Sequence, residues 1–168
     1  AIIDSPNVTY NNVDNPGYDI RDQIASIADG DSDGNTAPCQ VNINILKIIV
    51  ALSQEHTIQI SDINRECVKS RLDNTTSPHH TGNALDIEKF DGVTAASPKL
   101  KAILDIATQY MPANALIGLV PDKDGKTCRL AGIAPLYNGF TVFDDPGSCG
   151  HIHIGMDSSS DPEYPTDA

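Results

Sequence analysis

An α+β fold with an antiparallel sheet packed against helices is what this sequence predicts, and three observations carry that expectation. Apolar residues recur at helical spacing in three separate stretches, and several short runs alternate polar and apolar residues as half-buried strands do. The two patterns do not alternate regularly, as they would in a chain of βαβ units. With 168 residues, the chain suits one domain with a short segment at each end.

Residues 1–18 hold two prolines and four asparagines without any period and read as an extended N-terminal lead-in. The main domain is expected over 19–156. Ile20, Ile24, Ile27 and Ala28 lie at helical spacing, and that helix should stop at Asp29-Gly30. A stronger helix is expected from Val41 to Glu55, where Val41, Ile45, Ile48, Ile49 and Leu52 form one apolar stripe. Thr57 to Ser61 alternates as a strand, and residues 63–82 form a long polar loop ending in Gly82. A second strand runs from Ala84 to Lys89. Ser97 and Pro98 make an N-cap and first-turn pair for a helix continuing through Leu100, Ile103, Leu104 and Ala107 to about Tyr110. Short strands follow near 115–120, 129–133, 139–143 and 151–155, with a hairpin turn at Asp124-Gly125. Residues 157–168 read as a C-terminal tail or linker. No repeat of solenoid period is present.

Eleven Lys and Arg against 23 Asp and Glu give a net charge of −12 and a pI near 4.5. That field repels phosphate backbones and anionic lipid surfaces, so neither nucleic acid nor membrane is expected as a partner. The longest apolar run, Ile43 to Leu52, is broken by Asn44 and Lys47 and is far shorter than the roughly 20 residues of a membrane span. Ala1 opens no charged and apolar leader, so a signal peptide is expected to have been removed or never present. The four cysteines are widely spaced with no CxxC pair, which suggests two structural disulfides, Cys39–Cys67 and Cys128–Cys149, formed in an oxidising compartment. Two sequons, at Asn7 and Asn74, are compatible with export. A secreted or extracellular monomer is the expectation.

The chemistry concentrates in two segments, Ser77-Pro78-His79-His80-Thr81-Gly82-Asn83-Ala84-Leu85-Asp86 and Gly150-His151-Ile152-His153-Ile154-Gly155. They contain four of the five histidines. Side chains alternate along a strand, so Ala84, Asp86 and Glu88 should share one face while Leu85 and Ile87 share the other. By the same rule His151 and His153 lie opposite Ile152 and Ile154. If the two strands are neighbours, Asp86 and the histidine pair converge, and His79 can fold over them. Two imidazoles and a carboxylate around a metal with an open position form a catalytic zinc arrangement. His56 and His80 fit no such phase and are expected at solvent.

The pattern Ser77-x-His79-x-x-Gly82-x-Ala84-x-Asp86, followed by His151-x-His153, resembles the signature of the LAS zinc metallopeptidases. That family comprises D-alanyl-D-alanine carboxypeptidases and dipeptidases, murein and phage endopeptidases, and the hedgehog signalling domain. The resemblance covers roughly residues 38–156 and implies a hedgehog/DD-peptidase-like fold with Zn²⁺ held by His79, Asp86 and His153. It also implies that His151 contacts substrate or the reacting water. The implied substrates are peptidoglycan stem peptides, cut next to a D-amino acid, which makes cell-wall association an alternative location. Glu88, one strand repeat beyond Asp86 on the same face, is expected to line the groove, and Ser77 is a further expected substrate contact.

Peptide-cleaving members commonly carry a Glu or Asp a few residues before the His-x-His. Here the nearest carboxylate is Asp145, six residues before His151, in an Asp-Pro-Gly sequence that also reads as a turn. The expected proton acceptor is therefore His151, then Asp145, then Asp144. A catalytically weak or inactive zinc-containing extracellular binding module is the competing expectation. A separate D-x-D-x-D-G run, with Asp29, Asp31, Asp33 and Asn35, matches the first half of a Ca²⁺ loop but has Gln40 where a bidentate Glu belongs. It reads equally as an altered Ca²⁺ site or a solvated acidic turn.

Overall fold

The computed structural model describes residues 1–11, 19–28, 41–63, 84–94, 100–113, 116–119, 137, 139–144 and 151–156. Among the described residues three helices form where the apolar spacing predicts them. Helix α1 spans Ile20–Ala28, and the Asp19 side chain caps its first turn by accepting from the Asp22 amide at 3.0 Å. Helix α2 spans Ile43–Ser53 and begins at Asn42, whose side chain accepts from the Asn44 amide. All five stripe positions, Val41, Ile45, Ile48, Ile49 and Leu52, are buried. Helix α3 spans Leu100–Ala107, buries Leu100, Ile103, Leu104 and Ala107, and tightens into a 3₁₀ turn at Thr108–Tyr110.

Among the described residues seven strands form one sheet: β1 (Val8–Tyr10), β2 (Ile58–Asp62), β3 (Ala84–Phe90), β4 (Val93–Thr94), β5 (Leu116–Leu119), β6 (Thr141–Asp144) and β7 (Ile152–Gly155). Their order is β1-β2-β3-β7-β5-β6, with β4 attached to β3. The sheet is mixed, which corrects the antiparallel expectation. The central pairs β2/β3, β3/β7 and β7/β5 are antiparallel, whereas β1/β2 and β5/β6 are parallel. The reason lies in the connections. Antiparallel neighbours can be joined by a tight turn, but the chain leaves β1 and passes through α1 and α2 before entering β2, and residues 120–140 separate β5 from β6. Such long crossovers return the chain in its original direction.

One core joins the layers. Leu85, Ile87 and Phe90 of β3 and Ile152 and Ile154 of β7 pack in a cluster with the stripes of α1, α2 and α3. The segment at 1–10 contributes Ile2 and Val8 to the same cluster. Asn7 ties it to α2, its side-chain amide donating to the Ser53 carbonyl at 2.8 Å. The predicted N-cap at Ser97-Pro98, the strand at 129–133, the turn at 124–125, the tail at 157–168 and all four cysteines lie outside the described residues.

Two register shifts interrupt the β2/β3 ladder. Gln59 pairs with Lys89 and Ile60 with Ile87, so Glu88 is passed over; Ile60 pairs with Ile87 and Asp62 with Asp86, so Ser61 is passed over. Each is a one-residue bulge, on opposite strands. The first changes the phase of β3. Ile87 and Phe90 are both fully buried although three residues apart, and Lys89 is exposed.

Candidate functional site

Strands β3 and β7 are direct neighbours, with Asp86 opposite His153, Leu85 opposite Ile154 and Ile87 opposite Ile152. In antiparallel pairing, residues directly opposite project to the same face, so this register brings the carboxylate and the imidazole together. His153 Nδ1 lies 3.1 Å from Asp86 Oδ1, and His151 Nε2 lies 3.6 Å from Asp86 Oδ2. The first distance is a hydrogen bond; the second is too long for one. One carboxylate thus faces both histidines, one on each oxygen.

Burial differs across the three groups. Asp86 and His153 are only 8% and 6% exposed, whereas the His151 side chain is 26% exposed. Leu85 and Ile87 on one strand and Ile152 and Ile154 on the other form an apolar floor beneath them, all fully buried. On the far side of β7, Gly118 is the register partner of His153 and, being glycine, brings no side chain beside the imidazole.

The distances suit a metal as well as a hydrogen bond. Ligand bonds of about 2.0–2.2 Å in a tetrahedron put neighbouring ligand atoms about 3.3 Å apart, close to the Nδ1 to Oδ1 separation. A nitrogen and a carboxylate oxygen are also the donor types zinc accepts. Among the described residues no group of three or more His, Cys, Asp or Glu side chains is gathered around a common point for a metal. Two of the three ligands implied by the resemblance, Asp86 and His153, are side by side, and the third, His79, lies outside the described residues. So do Ser77, His80 and Asp145, and so does the candidate calcium run with Asp29, Asp31, Asp33 and Asn35. Asp144 ends β6, an edge strand separated from β7 by β5.

Three side-chain placements escaped the sequence reading. Asp62 is buried opposite Asp86 in register, one position past the alternating run that marks β2. Asn11, just after β1, donates from Nδ2 to Glu88 Oε2 at 2.7 Å. No local pattern signals either, because both arise from pairing across the sheet. The third is Asp91, which corrects the expectation of a solvent-exposed His56. His56 Nδ1 sits 2.8 Å from Asp91 Oδ2, its side chain is 25% exposed, and its ring lies on Phe90 at 4.5 Å between centroids. The Asp91-Gly92 turn after β3 holds His56 there, far along the strand from Asp86.

Comparison with known proteins finds no matching family model, no matching curated protein and no matching solved structure.

Proposed function

We propose that this chain is a secreted zinc-dependent peptidase that cleaves peptidoglycan stem peptides next to D-amino acids. The observation that carries this reading is Asp86 with His153 opposite it in register and His151 at its other oxygen. It adds a spatial reason to the sequence resemblance, in which Asp86 and His153 are ligands and His151 is not. Asp86 and His153, with His79, would hold the zinc, which when bound polarises a scissile carbonyl and lowers the pKa of a water.

The protein's own groups divide the remaining work. The pairing of His153 Nδ1 with Asp86 Oδ1 holds both side chains in place where a metal would bind between them. The apolar floor excludes water from beneath both side chains, which strengthens every charge interaction above it. His151 is more exposed and makes no hydrogen bond to Asp86, so its Nε2 is available to take a proton from the attacking water and pass it to the leaving amine.

Incubation of the zinc-loaded protein with defined muropeptides, followed by mass analysis of the products, tests the proposal. Loss of a terminal residue identifies a carboxypeptidase, and a severed crosslink an endopeptidase. An unchanged substrate bound by the protein would instead make it a binding module.

A further inference from the structure

A row of register partners crosses the face of the sheet that carries Asp86. Asp62 of β2 pairs with Asp86 of β3, Asp86 with His153 of β7, and His153 with Gly118 of β5. Residues directly opposite project to the same face, with Cβ atoms about 4.5–5.5 Å apart. The bulge at Ser61 is what brings Asp62 into the row. Strict alternation from Ile58 and Ile60, both part of the core cluster, would send Asp62 inward with them. The extra residue resets the phase, so that Ile60 stays opposite Ile87 while Asp62 comes opposite Asp86.

That placement is unfavourable by itself. Asp62 is 5% exposed and Asp86 8%, and like charges directly opposite one another destabilise a sheet. Strand β3 lies between β2 and β7, and both oxygens of Asp86 are directed to histidines of β7. Oδ1 is 3.1 Å from His153 Nδ1 and Oδ2 is 3.6 Å from His151 Nε2. The Asp86 carboxylate is thus turned to the side of its strand away from β2, the direction that repulsion from Asp62 favours. A dication beside Asp86 turns the repulsion to use, because two carboxylates balance its two charges where one leaves half of them uncompensated.

We infer that Asp62 is a positioning residue of the metal centre, which acts through Asp86 to tighten the hold on zinc; this rests on the zinc-peptidase reading above. Asp62 is not itself a ligand in this arrangement, since among the described residues no three such side chains converge on one point. Its charge acts from the next strand by two routes. It holds the Asp86 carboxylate toward His153, and it adds to the negative potential at the ion. Leu85 and Ile87 beneath are fully buried, so the charge acts through surroundings of low dielectric and is little screened. A carboxylate kept for structure alone behaves differently, because its contribution to stability is the same with and without metal.

The test compares the full-length parent with Asp62→Asn and Asp62→Glu. Zinc dissociation constants are measured by competition with a chromophoric chelator at one pH, and melting temperatures of the metal-free proteins in parallel. Asp62→Asn keeps the shape of the side chain and removes its charge. It should weaken zinc binding about 10–100-fold, the range for groups that support a metal ligand. The metal-free variant should melt at the same temperature as the parent or higher, because a like-charge pair is gone. Asp62→Glu, which retains the charge, should bind zinc more tightly than Asp62→Asn. Unchanged zinc affinity in Asp62→Asn overturns the inference, as does equal weakening in the two variants. A metal-free Asp62→Asn that melts lower or fails to fold makes Asp62 a structural residue and overturns it as well. Muropeptide cleavage by the parent separates the two readings. Zinc binding with the Asp62 effect but without cleavage overturns the peptidase reading alone; cleavage with zinc affinity indifferent to Asp62 overturns this inference alone; a parent that takes up no zinc overturns both.

Discussion

At the residue scale, the proposed function gives the three polar groups at the centre of the sheet separable roles. His153→Ala removes the imidazole paired with Asp86, and zinc stoichiometry measured by metal analysis should fall well below one per chain. His151→Ala should keep its zinc and lose at least about 10²-fold in turnover, the lower range for removing a general base. Full occupancy in the first variant or near-normal turnover in the second would reassign the roles. Two tyrosines give a contrast that involves no site chemistry. The Tyr137 hydroxyl donates to Asp105 Oδ1 at 2.7 Å, whereas the Tyr10 hydroxyl is buried with no hydrogen-bond partner among the described residues. Tyr137→Phe should therefore cost about 1 kcal/mol, and Tyr10→Phe should be neutral or stabilising. Burial pushes the pKa of both phenols up, and the Asp105 carboxylate raises that of Tyr137 further. A group whose folded pKa is raised contributes stability that is complete below its unfolded value, about 10 for tyrosine, and is lost as pH rises toward the folded value. Denaturant titrations at neutral pH and above pH 10 should show that alkaline loss reduced in Tyr137→Phe.

At the element scale, the turn joining β3 to β4 shows how a two-residue loop is held. Phe90 pairs with Val93, leaving Asp91 and Gly92 as the loop, with φ of 50° and 78°. Positive φ at both central positions is the geometry of a primed hairpin turn, for which Asp-Gly is a preferred pair. Asp91 accepts the strain because its carboxylate is used twice, by His56 Nδ1 and by the Thr57 amide at 3.0 Å. The end of α2 and the start of β2 are thereby fastened to the hairpin. A Cβ added at Gly92 meets nothing within 4 Å, so Gly92→Ala should cost only the conformational penalty, about 1 kcal/mol. Gly139 has equal space and no positive φ, so Gly139→Ala should be neutral or stabilise by up to about 1 kcal/mol. Thermal melts of the two variants compare them directly, and an equal effect would mean that backbone conformation is not what distinguishes the two positions.

At the scale of the whole molecule, net charge and the proposed disulfides set the terms. A net charge of −12 on a chain of 168 residues disfavours the compact state through self-repulsion. Raising salt from about 0.01 M to about 0.15 M shortens the screening length from about 30 Å to about 8 Å. The melting temperature should rise by about 1–2 °C, the shift that about 0.5 kcal/mol produces in a chain of this size. A fall would show that attractive ion pairs outweigh the repulsion. The proposed disulfides, Cys39–Cys67 and Cys128–Cys149, would each add about 2–4 kcal/mol by restricting the unfolded chain. Non-reducing peptide mapping should recover those two linked pairs, and a Cys39–Cys128 or Cys39–Cys149 peptide would overturn the assignment.

Helices α1, α2 and α3 were legible because burial of a stripe at spacings of three and four residues depends on local backbone geometry alone. The phases of β3 around Asp86 and of β7 around His153 were legible for the same reason: alternation needs no knowledge of the neighbour. What alternation cannot state is which strand the neighbour is. The adjacency of β3 and β7, the parallel edges, and Asp62 opposite Asp86 all depend on segments distant in the chain meeting across a shared core. The bulge at Glu88 defeats even the local rule, since the passed-over residue turns Phe90 inward where strict alternation sends it outward. His56 illustrates the same limit, because the carboxylate that claims it lies 35 residues away and reaches it only once β3 has turned. Residue type and spacing therefore singled out the side chains on which the proposed chemistry rests, and pairing energies summed over the whole sheet decided which of them stand within reach of one another.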